Sequence, residues 1–327
     1  MNEYDGHCCG PDADQGGAPG LAGRSGAQGP VDGSAALGSS ARSAALGSSA
    51  GSAAAGSSAG SAAAGSSAGS AAAGSSAGSA APGVPDGVAL PVVASRAEFE
   101  AEIERLRVRE KAHTRESDAI AAARRRLPMV EVDGGTPIVG AQGATTLLDA
   151  FEGRRQLLAY YFMWYPGRPA AEQCEGCTWN NTEVTNLPYL HSRDISYAVF
   201  CLKKKRESRR YHDFMGWRMP WYSAQDSLDV LLVGRRIGMM HLVAYVRDGD
   251  RVFETYWTTV RGVEVADCSL ALMDLTVFGR QEPWEDSPPG RPQGWPVDGS
   301  NSRLGGRPIP QWPRIEAGFS DDLTATP

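Results

Sequence analysis

All eight tryptophans and all eight phenylalanines of this 327-residue chain stand beyond residue 94, and Tyr4 is the only aromatic before that point. This asymmetry decides which part of the chain can build a core. Residues 34–81 contain only Ala, Gly and Ser apart from Leu37, Arg42 and Leu46. They run as a nine-residue unit: SAALGSSAR from Ser34, SAALGSSAG from Ser43, SAAAGSSAG three times, then a fragment at Ser79. Alanine alone removes too little apolar surface from water to offset the ordering entropy of each residue, and Gly and Ser favour an open chain. Residues 1–94 are therefore expected to be a disordered tail whose repeat reflects slippage rather than a solenoid. A spacer or interaction tail is the functional alternative. Cys8 and Cys9 beside His7 lack an ordered scaffold for a metal ion. Residues 95–327 are enough for one domain with its own core.

The formal net charge is −6, which gives no electrostatic footprint for nucleic acid. The one dense basic run, Lys203-Lys204-Lys205-Arg206, is short and reads as the solvated start of a helix rather than a phosphate patch. Met1 to Gly10 has neither a basic stretch nor an apolar stretch of the kind a secretory signal needs. The apolar run from Leu157 to Trp164 is far shorter than the ~20 residues of a membrane helix. A cytoplasmic protein without a membrane partner is expected. In that compartment thiols are kept reduced, so a cysteine pair points to redox or metal chemistry more than to a structural disulfide.

Order is expected from Ser95. Ser95-Arg96-Ala97-Glu98 is a capping box, and Phe99, Ile103 and Leu106 follow at helical spacing. A second stripe, Ile120, Ala123 and Leu127, closes this helix before Pro128. It is expected to pack on the flank of the domain, because the stripe is too interrupted for a coiled coil. Met129–Val132 and Pro137–Val139 flank Gly134-Gly135 and suggest a hairpin. Thr146 to Phe151 reads as a helical turn. Leu157 to Trp164 is unbroken apolar and aromatic sequence, as in a fully buried strand. Gly176 to Leu190 predicts a helix, Ile195 to Leu202 a strand, and Arg206 to Met215 a helix. Leu242–Val246 and Val252–Thr258 enclose Asp248-Gly249, a hairpin signal, and Ser269 to Leu275 predicts a last helix. A βαβ unit followed by ββα gives a mixed sheet covered by helices. Beyond Arg280 a Pro/Gly/Trp-rich coil is expected to wrap the surface, anchored by Trp284, Trp295 and Trp312.

Chemistry concentrates at Cys174-Glu175-Gly176-Cys177. A C-x-x-C that follows a buried strand by one loop and opens a helix brings two sulfurs within bonding reach. The helix N-terminus offers amides and a positive dipole that stabilise a thiolate. The first cysteine, taken as the more exposed, is the expected nucleophile and the second the resolving thiol. Glu172 and Glu175 oppose ionisation of Cys174, and Arg168 in the loop is the expected counter-charge. Half of a zinc site, or two packing cysteines, are the alternative readings; a zinc site needs two more ligands, and His191, His212, His241, Cys201 and Cys268 are scattered singly. Cys201 and Cys268 are expected to be buried small hydrophobes. Arg218 and Trp221 in MGWRMPWYS are candidates for a pocket wall or a packed loop, and His241 for an acid–base group or a structural imidazole.

The segments RRQLLAYYFMW at 154, GRPAAEQCEGCTWNN at 167, FMGWRMPWYS at 214, LVAYVRDGDRVFETYWTTVRGVE at 242 and LMDLTVFGRQEPWEDSP at 272 together resemble a bacterial domain-of-unknown-function family, family 899. The resemblance spans roughly residues 95–322. It implies a thioredoxin-like α/β fold, a central mixed sheet flanked by helices, related to peroxiredoxins and alkyl hydroperoxide reductases, and a dithiol-disulfide oxidoreductase activity. On that mapping Cys174 takes the nucleophile position and Cys177 the resolving one. The Tyr165-Pro166 step and the loop after it are similar to the peroxiredoxin loop after its first catalytic strand. Three positions depart from the related patterns. Ala171 stands where peroxiredoxins carry a Thr three residues before the reactive Cys. Met239-Met240-His241 lacks the Pro that thioredoxins place beside the pair. Glu-Gly between the cysteines lacks the stiffening Pro.

The expected organisation is a tail at 1–94, a flanking helix at 95–128, a thioredoxin-like domain at 129–280 and a wrapping extension at 281–327. The expected function is thiol-disulfide exchange by Cys174 and Cys177, with Arg168, Arg218, Trp221 and His241 as pocket candidates. The partners are a thiol, disulfide or peroxide substrate and a cellular thiol reductant, with no bound cofactor or metal, and a homodimer is compatible with this fold type. A thiol peroxidase, or a binding module with inert cysteines, are the rival readings.

Overall fold

The computed structural model describes residues 87–202, 205–292 and 302–324. The repeats, Lys203-Lys204 and Trp295 lie outside the described residues.

The first helix, α1 (Arg96–Arg124), starts at the expected capping box: the Ser95 hydroxyl accepts from the Glu98 amide, and the Glu98 carboxylate accepts from the Ser95 amide at 2.9 Å. Glu–Arg pairs three or four residues apart line it, as at Arg96–Glu100, 3.5 Å. Its packing differs from expectation. No residue of α1 is buried, and Phe99, Leu106 and Ile120 are 48%, 49% and 43% exposed. The stripe is too sparse through its polar middle to seat a 29-residue helix on the domain.

Short strands β1 (Val130–Val132), β2 (Pro137–Gly140) and β3 (Gly143–Thr146) follow. The hairpin expected across Gly134-Gly135 does not form. β1 pairs with a late strand, β8 (Arg251–Thr259), while β2 pairs with β3 and with β6 (Trp221–Ser223). The central strands are β4 (Gln156–Phe162) and β5 (Ile195–Cys201), and β7 (His241–Asp248) completes an eight-stranded sheet ordered β1-β8-β7-β4-β5-β6-β2-β3. β1 and β2 are six strands apart in that order, about 29 Å in a flat sheet, yet the chain from Val132 to Pro137 reaches at most about 18 Å. The sheet must therefore curl until its ends approach. Gly134 permits the crossing: a Cβ there would lie 3.0 Å from both the Asp250 carbonyl oxygen and the Val252 side chain.

The centre follows the expected pattern. β4 and β5 are parallel and in register from Gln156–Ile195 to Phe162–Cys201. Their crossover is two helices rather than the single one expected over Gly176–Leu190: α2 (Glu175–Glu183) and α3 (Leu187–His191), separated by Val184-Thr185-Asn186 and restarted with Pro188 in the first turn. After β5 come α4 (Lys205–Met215), β6 parallel to β5, and the short α5 (Leu228–Leu231). β7 runs antiparallel to β4 and turns at Gly249, φ 60°, into β8, as Asp248-Gly249 foretold. α6 (Cys268–Met273) ends this unit. The order β8-β7-β4-β5, a βαβ unit joined to ββα, is a thioredoxin-like fold: a mixed sheet flanked by helices.

Two further expectations are corrected. Thr146 to Phe151 is the end of β3 and a 3-10 turn at Asp149–Phe151, because the Asp149 carboxylate caps back onto the Thr146 amide at 3.0 Å. Residues 302–324 are structured rather than coil: β9 (Arg303–Leu304), β10 (Arg307–Pro308), a 3-10 turn at Ile309–Gln311 and α7 (Trp312–Glu316). Gly305 and Gly306, φ 58° and 74°, supply the two positive-φ positions that a two-residue hairpin loop requires. Trp284 is 43% exposed, with the Arg261 guanidinium over its ring, and is no anchor.

Candidate active site

Alternation along β4 puts Leu158, Tyr160 and Phe162 on one face of the sheet and Tyr161 on the other. Their register partners Tyr197, Val199 and Cys201 on β5 share the first face, and that face carries α2. Phe162, Tyr211, Trp217 and Trp221 form an aromatic floor there, with Trp217 and Trp221 stacked at 5.5 Å and Phe162 5.2 Å from Trp221. Trp164, just past β4, packs against Tyr211.

The loop from β4 to α2 is shaped by Gln173, which is fully buried. Its side-chain oxygen accepts from the Tyr165 amide at 3.0 Å, and its amide nitrogen donates to the Tyr165 and Arg168 carbonyls at 2.9 and 3.0 Å. The loop closes on itself, and the chain enters α2 with Cys174 as N-cap. The Cys177 amide donates to the Cys174 sulfur at 3.4 Å, and the Met163 amide, at the end of β4, donates to the Cys177 sulfur at 3.4 Å. Both cysteines stand as thiols. The Thr178 hydroxyl donates to the Cys174 carbonyl at 2.7 Å and bonds the Tyr211 hydroxyl at 2.7 Å. The Asn181 amide donates to the Cys177 carbonyl and accepts from the Tyr197 hydroxyl, tying the helix to β5.

The expected exposure of Cys174 is not met: Cys174 is 1% and Cys177 0% exposed. The cover comes from the far end of the chain. One Arg303 nitrogen donates to the Ala171 and Gly306 carbonyls at 2.6 and 2.9 Å. The other donates to the Gln173 carbonyl at 2.8 Å and the Glu175 carboxylate at 2.9 Å. Arg303 therefore bonds both residues that flank Cys174. The buried Gln311 amide donates to the Ala170 carbonyl at 2.8 Å and the Tyr211 hydroxyl at 2.6 Å, and Arg307 holds Gln311 at 2.7 Å. Sequence reasoning missed Arg303 and Gln311. The Gly305-Gly306 pair was the available signal for the hairpin that presents them.

The pocket candidates separate. Arg168 lies on the exposed rim, 4.0 Å from the Glu172 carboxylate and over the Tyr165 ring, so the counter-charge to Glu175 is Arg303 instead. Arg218 is exposed. Trp221 is buried in the aromatic floor and donates its indole N–H to the Ser208 hydroxyl. His241 is the register partner of Tyr161 and so points to the opposite face; its Nε2 meets the Arg236 carbonyl at 3.1 Å and its ring packs on Trp257. Burial lowers its pKa below the usual imidazole value. The structure does not bring His241 to the cysteine pair.

Burial raises the phenols of Tyr160, Tyr197 and Tyr211 well above the usual tyrosine value, and in each case charge on the cysteines would raise them further. At neutral pH all three keep their protons.

A family model described as "Bacterial protein of unknown function (DUF899)" matches residues 88–298, more than half of the chain. The chain belongs to this family. The DUF899 span contains α1, the whole sheet and the cysteine pair, and it ends before the Arg303 hairpin. No curated protein matches the sequence. Among solved structures the chain is similar to a mutant of Xanthomonas campestris peroxiredoxin Q (15% identity, TM-score 0.33, 46% of this chain and 96% of that one). It is also similar to the thioredoxin of Wuchereria bancrofti (14%, TM-score 0.29, 42% and 90%). A third is the peroxidoxin BcpB of Mycobacterium tuberculosis (14%, TM-score 0.29, 45% and 94%).

Elsewhere in the DUF899 span, Cys268 departs from expectation, and its neighbour Asp267 is a buried acid. Cys268 is exposed, not buried, and its sulfur lies 2.7 Å from the Glu183 carboxylate, which raises its pKa. Asp267 is buried with one carboxylate oxygen unpartnered. Burial first, then the Glu183 and Glu264 charges, push its pKa up to about 8, with Arg280 opposing. An unfolded Asp titrates near 3.9, so between roughly pH 4 and 8 the folded state holds a proton the unfolded chain has lost, and stability falls as pH rises through that window. Asp267→Asn should therefore raise the melting temperature at pH 8.5 by about 2–4 °C and change it less at pH 5. An equal effect at both pH values would contradict the assignment.

Among the described residues no helix is long and apolar enough to cross a membrane.

Proposed function

We propose that the protein is a thiol-disulfide oxidoreductase. The observation that carries this reading is the pair itself: Cys174 caps a nine-residue helix directly after the central strand, and the Cys177 amide points at its sulfur at 3.4 Å. That amide and the helix N-terminus favour negative charge on Cys174. The Cys174 thiolate attacks one sulfur of a substrate disulfide. A Cys174–substrate disulfide forms, the other substrate sulfur leaves as a thiolate, and it takes up a proton. Cys177 then loses its proton and attacks the Cys174 sulfur, releasing the second substrate thiol and leaving a Cys174–Cys177 disulfide. The substrate has gained the two electrons the pair has lost, and a cytoplasmic thiol reductant restores them. No bound cofactor enters this cycle. The Tyr165–Gln173 bonds and the aromatic floor, to which Trp221 contributes, hold the pair, and Arg168 on the exposed rim of the same loop is the cation proposed to meet an approaching substrate.

One observation favours a second reading, a binding module with inert cysteines: both sulfurs are buried. A redox titration separates the two. The protein is equilibrated in graded thiol-disulfide buffers, alkylated, and read by peptide mass spectrometry at Cys174 and Cys177. A reversible two-electron transition at roughly −120 to −270 mV is the expected result. A pair that stays reduced throughout, or oxidises only irreversibly, establishes the binding module. Ala171 offers no hydroxyl to orient a peroxide, so slow peroxide consumption is expected; fast consumption by Cys174 would make the protein a thiol peroxidase.

A further inference from the structure

Arg303 fills a set of hydrogen-bond acceptors on either side of Cys174, and its two terminal nitrogens divide them. One nitrogen donates to the Ala171 carbonyl at 2.6 Å and to the Gly306 carbonyl of its own hairpin at 2.9 Å. The other donates to the Gln173 carbonyl at 2.8 Å and to the Glu175 carboxylate at 2.9 Å. Three of these four acceptors belong to the loop before Cys174 and to the first residue of α2, so they stay in place when the hairpin moves. The segment is anchored away from them, where the Arg314 side chain donates to the Phe214 carbonyl at 2.6 Å near the end of α4. Cys174 is 1% exposed, and a disulfide reaches its sulfur once the segment over it has shifted. That shift bares two carbonyls and a carboxylate whose side chain is only 21% exposed. Acceptors and a charge left unpaired in a shielded place are unfavourable, so an incoming group that pairs them again is favoured.

We infer that the Ala171 and Gln173 carbonyls and the Glu175 carboxylate form a guanidinium site, and that the substrate is a peptide disulfide with an arginine next to its half-cystine. Arg303 holds this site in cis, as a stand-in for the substrate arginine. The inference rests on the proposed exchange reaction and names the class of substrate for it. Two features select a guanidinium. The three groups only accept hydrogen bonds and together carry one negative charge, so a charged donor gains more from them than a neutral one, and a substrate carboxylate is repelled. They are also split between two nitrogens of Arg303, Ala171 on one and Gln173 with Glu175 on the other. A planar fork with donors on two terminal nitrogens spans that arrangement, whereas an ammonium gathers its three donors on one atom. Arg168 is matched by the Glu172 carboxylate at 4.0 Å on the exposed rim, which leaves the charge of Glu175 to Arg303 or to its replacement.

The test uses full-length Arg303→Ala protein, in which the site is vacated. The probes are mixed disulfides of an aromatic thiol with tripeptides that differ only in carrying arginine, lysine or alanine after the cysteine. Cys174 attacks the peptide sulfur, the aromatic thiolate leaves, and its absorbance gives the rate. The arginine peptide is expected to react about tenfold faster than the alanine peptide, with lysine between them. Adding Glu175→Gln should narrow that ratio, and so should restoring Arg303. Equal rates for the arginine and alanine peptides in Arg303→Ala overturn the inference. Binding is read separately from exchange, by the ¹³C resonance of the Glu175 carboxylate titrated with the arginine peptide in which serine replaces cysteine. A saturable shift at roughly millimolar peptide is expected, with the alanine peptide about tenfold weaker, and a flat response overturns the guanidinium site. A protein that binds the serine peptide but exchanges no disulfide supports the site and overturns the exchange reaction, so the two failures are distinguishable. Should Arg303→Ala fail to fold, Arg303→Gln removes the charge while keeping a side chain that can hydrogen-bond, and the same comparisons decide.

Discussion

Cys174→Ser is expected to lower disulfide-exchange activity by at least about a thousandfold, because an alcohol replaces the only group that bonds covalently to the substrate in the first step. The substitution is small, and the fold should survive it. Serine is itself a preferred N-cap, and its oxygen takes over the place of the sulfur that accepts from the Cys177 amide. The melting temperature should therefore change little while activity disappears. Cys177→Ser should behave differently: the first step remains, the second is lost, and a Cys174 mixed disulfide accumulates that intact-mass spectrometry can weigh. Full retention of activity in Cys174→Ser would remove this cysteine from the mechanism. Equal loss without a mixed disulfide in Cys177→Ser would break the order of attack.

The second large effect concerns access. Both sulfurs are buried, and the cover is the segment around Arg303. Arg303 makes four hydrogen bonds, to the carbonyls of Ala171, Gln173 and Gly306 and to the Glu175 carboxylate. Each bond to a charged group contributes about 1.5–3 kcal/mol, and every 1.4 kcal/mol lost from closure multiplies the open population tenfold. Arg303→Ala, or a chain ending at residue 301, is expected to react with an aromatic disulfide reagent at Cys174 about tenfold faster or more. Far-ultraviolet circular dichroism of Arg303→Ala should be unchanged, because the eight-stranded sheet is built from residues 130–259 and contains neither β9 nor β10. An unchanged rate would mean that the loop held by Gln173 limits access by itself. Gln311→Ala should give a smaller effect in the same direction, since Gln311 reaches the Ala170 carbonyl and Tyr211 rather than the residues beside Cys174.

Much of the centre of the molecule was legible in the amino-acid sequence. The unbroken apolar and aromatic run from Leu157 and the run of β-formers from Ile195 read as buried strands, Asp248-Gly249 between alternating residues reads as a turn, and Ser95 with Glu98 starts a helix by satisfying its own amides. These are local causes, written within a few residues of their effects. The C-x-x-C belongs with them, since the spacing that sets the two sulfurs on one turn is a property of four consecutive residues. The apolar stripe of α1 marks the limit of such reading: it foretold the helix, but whether anything covers a stripe depends on distant surface.

What lay beyond the sequence was long-range. β1 and β2 are separated by four residues and by six places in the sheet, because the curl of the sheet, not the turn between them, chose their partners. Arg168, close in sequence to Cys174, turned outward to Glu172, while Arg303, 130 residues from the Gln173 carbonyl it binds, took the position beside the pair. The sequence by itself determined where the core begins, the βαβ and ββα units and the placement of two thiols at a helix start, since each follows from neighbouring residues and backbone geometry. The tertiary structure alone decided which strands stand at the edges, that both sulfurs are buried, and which charge meets the residues on either side of Cys174, because those contacts join segments that approach only in the folded chain.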